Sequence, residues 1–473
     1  MWQALKQRVP HRHSRSTRLV TRLSVASAVL LGVFSVGLLS VAPSTAQPAK
    51  PLLTTGDLRS TYLASTAEHA PVQLKPFSLA PGFDDFFQAQ LASDDVPGGV
   101  YAVVHRDRVV EINTFGVRAR NQAEPITPDT VFRIASVSKT FAGNLASILE
   151  QQGYFSMHDS VKHFVPNLDF KNPDYALQLQ VEHLLAQSTG VIPNAYDNLI
   201  EANYERQQIL PHFNRINPMC TPGQCYGYQN VLFSLIEDVI HESTGQTYDD
   251  WLQTLIFQPL GMRSASLGYE AYHVAENKAH PHIRGRNGWF TREVTPHYYR
   301  YSAAAGVNAS ALDLSQWLIA QMGYAPSVMP VDVVSKVRER RVRTVRDLRR
   351  ASWRPYLRNA HYGLGWRIYD FMGHDIVYHG GWVQGFRAEI AYSPEFDVGL
   401  VILINAESSA MNALAPEFWR QVLPRMQDEQ FVPYLYANGV RENPYLSPGA
   451  GSFIADHLPL TPPDLISDLL GTP

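Results

Sequence analysis

An almost uninterrupted apolar segment, Val398–Ile404, constrains the fold of this chain more than any other feature of its sequence. A strand of this kind is buried on both faces, so its sheet must be covered by a layer on each side. Two apolar or alternating segments, 376–382 and 386–392, precede it and are joined by a short turn containing Gly385. The three segments predict neighbouring strands of one antiparallel sheet.

The start of the domain supplies further strands. Residues 99–104 and 109–115 predict two strands around a turn at 106–108. Apolar residues recur at helical spacing in segments before and between the two groups of strands, at 83–92, 136–152, 175–187, 231–241 and 312–322. We therefore expect an α/β fold of the α+β type, with a central antiparallel five-stranded sheet flanked by helices and an inserted, mostly helical region.

The N-terminus is typical of an export signal. Five arginines between positions 8 and 22 precede an apolar run at 23–42, and small residues follow at 44–46. The run is also just long enough to remain as an uncleaved membrane anchor. We expect an exported chain, periplasmic or anchored in the inner membrane and facing outward, with a linker at 47–80, a catalytic domain at 81–425 and a Pro-rich extension at 426–473.

The charge balance argues against nucleic acid as a partner. The chain carries a net charge of −3 and has a pI near 6.6. An Arg-rich stretch at 338–350 is open to two interpretations, polyanion binding or a solvated helix face. Apolar residues interrupt it at helix-like spacing, which favours the helix face.

The two cysteines, Cys220 and Cys225, flank the turn sequence Thr-Pro-Gly-Gln. A close pair in an exported protein predicts a disulfide. The alternative is half of a zinc site, which would need two further ligands that the neighbouring sequence lacks.

The first chemical motif is Ser136-Val137-Ser138-Lys139 at the predicted start of a helix. Residues three apart share a helix face, so Lys139 would lie beside the Ser136 hydroxyl. A lysine takes the serine proton only if burial or nearby positive charge lowers its pKa. The alternative is an N-cap serine and a surface lysine, and such a pattern arises by chance about once in a chain of this length.

The second motif is Tyr228-Gln229-Asn230, just before the helix predicted at 231–241. In an extended segment Tyr228 and Asn230 point the same way and would face one cleft. A tyrosine beside a lysine ammonium can be held as phenolate and act as a base. The alternatives are a core aromatic for Tyr228 and a helix N-cap for Asn230.

The third motif is His379-Gly380-Gly381-Trp382 on a predicted strand. Glycines inside a strand mark a close backbone approach, often by a ligand, and a strand edge can present an N–H group to an oxyanion. The alternative is a bulge beside a buried histidine.

Taken together, the order and spacing of these motifs resemble the penicillin-recognising serine hydrolases, and in particular their class C β-lactamase-like branch. The likeness extends over roughly residues 80–425 and includes the segments 132–135, 184–191, 221–223, 257–262, 305–307 and 362–366. It implies a β-lactamase/transpeptidase-like fold with no cofactor and no metal.

The resemblance also implies roles for the matching residues. Ser136 would be acylated, while Lys139 and Tyr228 would move its proton. The backbone N–H groups of Ser136 and Trp382 would form an oxyanion hole. Asn230, Gln187, Gly381 and Trp382 are expected to bind a small-molecule or peptide substrate. His379, where many members have lysine, would keep positive or donor character beside Tyr228, with a charge that depends on pH near neutrality.

Two departures from the family pattern bear on the substrate. Gly380 lacks the threonine hydroxyl that helps β-lactamases hold the substrate carboxylate. Gln187 replaces a common histidine, at a position where a structural role is the alternative to a catalytic one. They favour an amidase, esterase or D-amino-acid peptidase over a dedicated β-lactamase. A non-hydrolytic penicillin-binding sensor or scaffold is the alternative function.

Overall fold

The computed structural model of this protein describes residues 78–428. The predicted signal or anchor at 1–46, most of the linker at 47–80 and nearly all of the extension at 426–473 lie outside the described residues. None of the described helices is both long and apolar enough to cross a bilayer.

The strands form one large sheet and two small ones. Their bounds are β1 (Gly98–His105), β2 (Arg108–Gly116), β3 (Phe132–Arg133), β4 (Ser266–Leu267), β5 (His282–Gly285), β6 (Gly288–Thr291), β7 (Val307–Ala309), β8 (Val342–Arg343), β9 (Leu357–Tyr362), β10 (Arg367–Phe371), β11 (His374–Val383), β12 (Phe386–Ser393) and β13 (Val398–Ile404). The large sheet has the order β2-β1-β13-β12-β11-β10-β9-β8, and each neighbouring pair is antiparallel. The small sheets are β3-β7-β4 and β5-β6.

Helices precede, interrupt and follow the strands. The α-helices are α1 (Phe83–Ser93), α2 (Ser138–Gln151), α3 (Val161–Phe164), α4 (Pro173–Leu177), α5 (Val181–Leu185), α6 (Asp197–Glu201), α7 (Arg206–Ile209), α8 (Ile236–Thr244), α9 (Tyr248–Leu252), α10 (Gly268–Val274), α11 (Ser302–Ala305), α12 (Ala311–Gln321), α13 (Val331–Val337) and α14 (Met411–Met426). Short 3-10 helices lie at Ala135–Val137, Leu210–Arg215, Phe233–Leu235, His297–Arg300 and Asp347–Arg349, with a π-helical turn at Gln253–Phe257.

The mixed fold with an antiparallel sheet built from both ends of the domain is confirmed. All five predicted strands are present, and early strand β1 pairs with late strand β13. The predicted strand count is too low, because β8, β9 and β10 extend the sheet to eight strands. β9 escaped the prediction because the sequence Leu-Arg-Asn-Ala-His-Tyr does not alternate regularly between apolar and polar residues, and only two of its six residues are fully buried.

Both faces of the central strands are covered, as the apolar run predicted. All residues of β13 are buried. In β1, Val100 and Ala102 face the core shared with helix α2, while Tyr101 and Val103 face a second core. The second core contains the terminal helices: the ring of Phe83 in α1 lies 5.0 Å from Tyr101 and 5.2 Å from Phe418 in α14.

The predicted helix at 175–187 is wrong in extent, because the chain forms α4 and α5 with an extended break between them. The Leu179 carbonyl accepts a hydrogen bond from the Val161 N–H at 2.8 Å. Gln180 pairs with Ser160 in an isolated β-bridge. Hydrogen bonding to a distant segment therefore replaces helical bonding at this point.

The helix expected over the Arg-rich stretch at 338–350 is also wrong. Helix α13 ends at Val337, and the stretch contains β8 and the 3-10 turn Asp347–Arg349. Pairing of β8 with β9 supplies the backbone partners that a helix would otherwise provide. The predicted disulfide between Cys220 and Cys225 is present.

Helix α2 packs against the segment before β10, and the two backbones approach closely at Gly365. Gly365 has a left-handed backbone with φ of 78°, and a side chain there would place its Cβ 2.1 Å from the Lys139 carbonyl oxygen. Only glycine accommodates both conditions. The segment at 362–366 thus packs directly on the first turns of the helix that carries the lysine.

Candidate active site

Ser136 lies on the 3-10 turn Ala135–Val137, which runs directly into α2. The α-helix begins at Ser138 rather than at Ser136, but the spacing still brings the serine and lysine side chains together. Ala135 has a left-handed φ of 51°, an unusual conformation for a residue with a side chain. Strained backbone of this kind is concentrated at functional sites, where surrounding structure holds it.

Lys139 is completely buried and reaches three oxygen atoms. Its Nζ lies 3.3 Å from Ser136 Oγ, 2.7 Å from Asn230 Oδ1 and 2.9 Å from the Ala304 carbonyl oxygen. The Asn230 and Ala304 oxygens only accept hydrogen bonds. A neutral amine has two N–H donors, so donation to these two oxygens leaves its lone pair directed at the Ser136 hydroxyl.

The surroundings of Lys139 favour this neutral form. Burial, aided by the positive charge of Arg367, lowers the pKa of Lys139 from 10.5 to about 7, although the carboxylate of Asp197 acts in the opposite direction. A general base is most effective when its pKa lies near the working pH. Lys139 therefore has the lowered pKa that a lysine needs in order to accept a proton from serine.

Tyr228 completes the contact with the serine. Lys139 Nζ lies 4.8 Å from the centre of the Tyr228 ring, and the Tyr228 hydroxyl interacts with Ser136 closely enough to influence the pKa of the phenol. Burial raises the pKa of Tyr228, an effect that Ser136 and Arg367 only partly offset. The raised pKa argues against the phenolate that the sequence allowed and favours a neutral phenol, which can give a proton and take it back.

Asn230 does not cap a helix, because a 3-10 turn at Phe233–Leu235 precedes α8. Its side chain is buried between Lys139 and Asp197 instead. Its Oδ1 accepts from Lys139, and its Nδ2 donates to Asp197 Oδ2 at 2.8 Å. Asn230 therefore contacts Lys139 directly.

Ser136, Tyr228 and Asn230 line a cavity of about 580 Å³, and strand β11 lines it as well. At Gly381 a Cβ would lie 2.1 Å from the Ile134 carbonyl oxygen, so only glycine lets the strand lie against the turn that carries Ser136. The last pair between β10 and β11 joins Arg367 to Tyr378. Beyond Tyr378, the edge of β11 that faces away from β12 is not paired with β10, and residues 380–383 line the cavity there.

Trp382 lies at the rim of this cavity. Its side chain is 63% exposed, and its Nε1 donates to Glu407 at 2.9 Å. The Arg387 guanidinium lies 5.2 Å from the ring centre. The indole is thus fixed from one side and open to a ligand from the other.

His379 differs from its expected role. It is completely buried, with Nε2 2.9 Å from the Tyr362 hydroxyl and Nδ1 2.9 Å from the Gly380 carbonyl oxygen. Burial, together with the charges of Arg367 and Lys139, holds its pKa well below the usual range. The expectation that its charge depends on pH near neutrality is therefore wrong: His379 is neutral, with Nδ1–H donating to Gly380 and Nε2 accepting from Tyr362.

Gln187 is also placed differently from the expectation. It is completely buried and does not line the cavity. Its Nε2 donates to the Gln229 carbonyl oxygen at 3.1 Å, and its Oε1 accepts from the Gln229 N–H at 2.5 Å. Gln187 therefore supports the Tyr228–Asn230 segment and does not bind substrate.

Sequence reasoning missed Arg367 and Asp197, two charged residues that line the cavity. The Arg367 guanidinium lies 5.6 Å from the Tyr228 ring centre and forms a 2.6 Å ion pair with Asp347. It is the permanent cation beside Tyr228 that the neutral His379 does not provide. Its position directly after the family-like segment 362–366 was a usable signal, whereas nothing local distinguishes Asp197.

Metal binding has no evident donor set here. Across residues 78–428, no group of three or more His, Cys, Asp or Glu side chains is arranged to hold a metal ion.

Comparison with known proteins gives consistent results. The sequence model of the Beta-lactamase family matches residues 83–423. A D-aminopeptidase from Gluconobacter oxydans (strain 621H) is 25% identical over 348 residues, which cover 67% of this chain and 58% of that protein. The matched region thus spans less than two thirds of this relative.

Two solved structures share the fold. The octameric penicillin-binding protein homologue from Pyrococcus abyssi aligns with a TM-score of 0.63 and 23% identity, covering 76% of this chain and 80% of its own. A class C β-lactamase from Rhodobacter sphaeroides aligns with a TM-score of 0.59 and 23% identity, covering 72% of this chain and 99% of its own. At this identity the likeness establishes the fold alone.

Proposed function

This chain belongs to the Beta-lactamase family of penicillin-recognising serine hydrolases, and from that premise we propose that it hydrolyses an amide, β-lactam or ester by acylation and deacylation of Ser136. One observation carries the proposal. The Ser136 hydroxyl lies 3.3 Å from a buried amine whose pKa is lowered to about 7, and the phenol of Tyr228 lies beside this pair. A hydroxyl becomes an effective nucleophile when a neighbouring base accepts its proton.

Acylation follows from the protonation states of the two partners. The lone pair of neutral Lys139 accepts the Ser136 proton as Oγ attacks the substrate carbonyl. The resulting oxyanion is stabilised by the backbone N–H groups of Ser136 and Trp382, which flank the cavity. Tyr228 donates its proton to the leaving amine or alcohol and recovers one from the Lys139 ammonium, so the protons balance.

Deacylation reverses these roles. A water molecule loses its proton to Lys139 through Tyr228 and attacks the acyl carbonyl. The proton then returns to Ser136 Oγ as the ester bond breaks. Arg367 remains charged throughout, because its ion pair with Asp347 holds its pKa well above the usual value despite burial. It stabilises any negative charge that develops on Tyr228.

The substrate class proposed here is an amide or ester, such as a D-amino-acid peptide, rather than a β-lactam alone. Gly380 has no side chain, and the position a Cβ would take lies 2.6 Å from the Tyr378 hydroxyl. Typical β-lactamases bind the substrate carboxylate with a threonine hydroxyl at this position. Gly380 provides no hydroxyl, and the neighbouring Tyr378 leaves little space for one. A relative carries the name D-aminopeptidase, which is consistent with this choice.

The test uses the purified full chain with three substrates: a chromogenic β-lactam, a short-chain aryl ester and a peptide ending in D-Ala-D-Ala. Each rate is compared with that of Ser136→Ala, which retains the cavity but lacks the nucleophile. We expect turnover of at least one substrate to fall at least about a hundredfold in the variant. Equal rates in both proteins would refute the assignment of the nucleophile.

Intact-protein mass spectrometry separates this proposal from a non-hydrolytic penicillin-binding sensor or scaffold. An enzyme that turns over returns to its unmodified mass as product accumulates. A stable adduct on Ser136 without product would favour the sensor.

We also propose that the chain is exported, either periplasmic or anchored in the inner membrane. The basic and apolar N-terminus supports this, as does the disulfide, since such bonds persist in oxidising compartments. Fusion of residues 1–80 to a reporter that is active only after export tests the proposal. A reporter that stays inactive would contradict it.

A further inference from the structure

Asp197 holds one end of the Asn230 side chain, at the start of helix α6. Asn230 Nδ2 donates to Asp197 Oδ2 at 2.8 Å, and Asn230 Oδ1 accepts from Lys139 Nζ at 2.7 Å. The amide is therefore fixed between a carboxylate and the proposed base. Asp197 makes no contact with Ser136 itself among the described hydrogen bonds.

The orientation of this amide determines what the base can do. The two ends of an asparagine side chain are alike in shape, so the chemistry of the neighbours decides which end faces which partner. An ionised carboxylate only accepts and thus selects the NH2 end. In the reverse orientation the NH2 group would face Lys139 and occupy the lone pair that Ser136 requires.

We propose that Asp197 is a positioning residue, which fixes the Asn230 amide so that the lone pair of neutral Lys139 stays directed at Ser136. The inference rests on the proposed acyl-transfer function and assigns Asp197 a part in it. Asp197 reaches the reaction only through Asn230 and Lys139.

Asp197 also acts on Lys139 through its charge. The groups that face Lys139 are Asp197 from α6, Arg367 from β10, the Tyr228 ring and the neutral His379 from β11. Of these, Asp197 raises the pKa of Lys139 and Arg367 lowers it. Asp197 Oδ1 is buried and has no hydrogen-bond partner within the described chain, so no other donor neutralises the carboxylate there.

The two effects predict different outcomes for two substitutions. Asp197→Asn removes the charge but retains an oxygen that can accept from Asn230 Nδ2. Asp197→Leu removes both the charge and the acceptor. Both variants lack the negative charge that raises the pKa of Lys139. The rise of kcat/KM with pH should therefore begin at lower pH than in the wild type. Only Asp197→Leu should also lower the plateau, by at least about tenfold, the loss expected for a hydrogen bond to a charged group.

A purely structural part for Asp197 predicts something else. An acidic residue in the first turn stabilises a helix by favourable interaction with its N-terminus. Loss of that interaction would lower stability in both variants without moving the pH dependence. Glu201→Gln is the matched control, because Glu201 lies on the same helix and lines the same cavity but is not among the charges that shift the pKa of Lys139. Its pH midpoint should equal that of the wild type.

A second readout does not depend on turnover. The pKa of Lys139 is measured by ¹⁵N NMR of lysine-labelled full chain, with the resonance assigned by its loss in Lys139→Arg. We expect a lower pKa in Asp197→Asn and Asp197→Leu than in the wild type, and no change in Glu201→Gln. Equal plateaus in Asp197→Leu and the wild type, or an unchanged pKa in Asp197→Asn, would overturn the proposal. Turnover that persists in Ser136→Ala would instead overturn the proposed function.

Discussion

The pH dependence of kcat/KM tests the protonation state of Lys139, the group on which the chemistry depends most. Burial lowers the pKa of Lys139 from 10.5 to about 7. An unperturbed lysine would be neutral in roughly one molecule in 3,000 at pH 7, whereas a pKa near 7 makes about half of the molecules neutral. The environment therefore increases the reactive population roughly a thousandfold.

The direction of the effect follows from the form that reacts. In the proposed mechanism the neutral amine is the base, so activity should rise with pH as Lys139 loses its proton. Below about pH 6, kcat/KM should fall about tenfold per pH unit; it should reach half its plateau near pH 7 and level off above about pH 8. Because kcat/KM reports ionisations of the free enzyme, the midpoint corresponds to the unliganded site.

A suitable assay uses the acetyl ester of 4-nitrophenol in buffers of constant ionic strength. Absorbance is read at the wavelength where nitrophenol and nitrophenolate absorb equally, so ionisation of the product does not distort the profile. Lys139→Arg is the control, because its guanidinium stays protonated and should lower the rate at least about a hundredfold at every pH. A profile that is flat from pH 6 to 8, or that keeps rising through pH 10, would refute the reasoning.

Substitutions at three further positions test separate parts of the site. His379→Gln should leave the midpoint of the pH profile unchanged, because burial already keeps His379 neutral; a shifted midpoint would show that the histidine titrates. Gly381→Ala should lower kcat at least about tenfold with an unchanged circular dichroism spectrum. Its Cβ would lie 2.1 Å from the Ile134 carbonyl oxygen and push the strand away from the turn that carries Ser136. A wild-type rate would contradict that contact. Arg367→Leu should lower the free energy of unfolding in urea by about 3–5 kcal/mol, because Asp347 stays buried without its ion-pair partner. Arg367→Lys should lose less, and a fully stable Arg367→Leu would disprove the importance of the pair.

Much of the sheet was predictable because strand patterning is local. The apolar segment in β13 and the alternating segments in β11 and β12 lie where the sequence placed them. β9 was missed because the polar residues Arg358 and Asn359 are adjacent, which breaks the apolar–polar alternation that would mark a strand. The break between α4 and α5 was missed because it depends on hydrogen bonds to residues 160 and 161, far away in sequence.

The proximity of Ser136 and Lys139 was also a local matter, since three residues at the start of a helix bring the two side chains together. The placement of Tyr228 and Asn230 beside them was predicted only with the help of family resemblance. The sequence therefore determined which residue types form the centre of the site.

Only the tertiary structure decided how those residues are charged. The neutral states of Lys139, Tyr228 and His379 all arise from burial, and the opposing charges of Arg367 and Asp197 come from segments far apart in the chain. Periodicity encodes which face of a helix or strand is apolar, because that property depends on neighbouring residues. The free energy of ionising a buried group depends instead on every element that excludes water from it, and that sum exists only once the chain has folded.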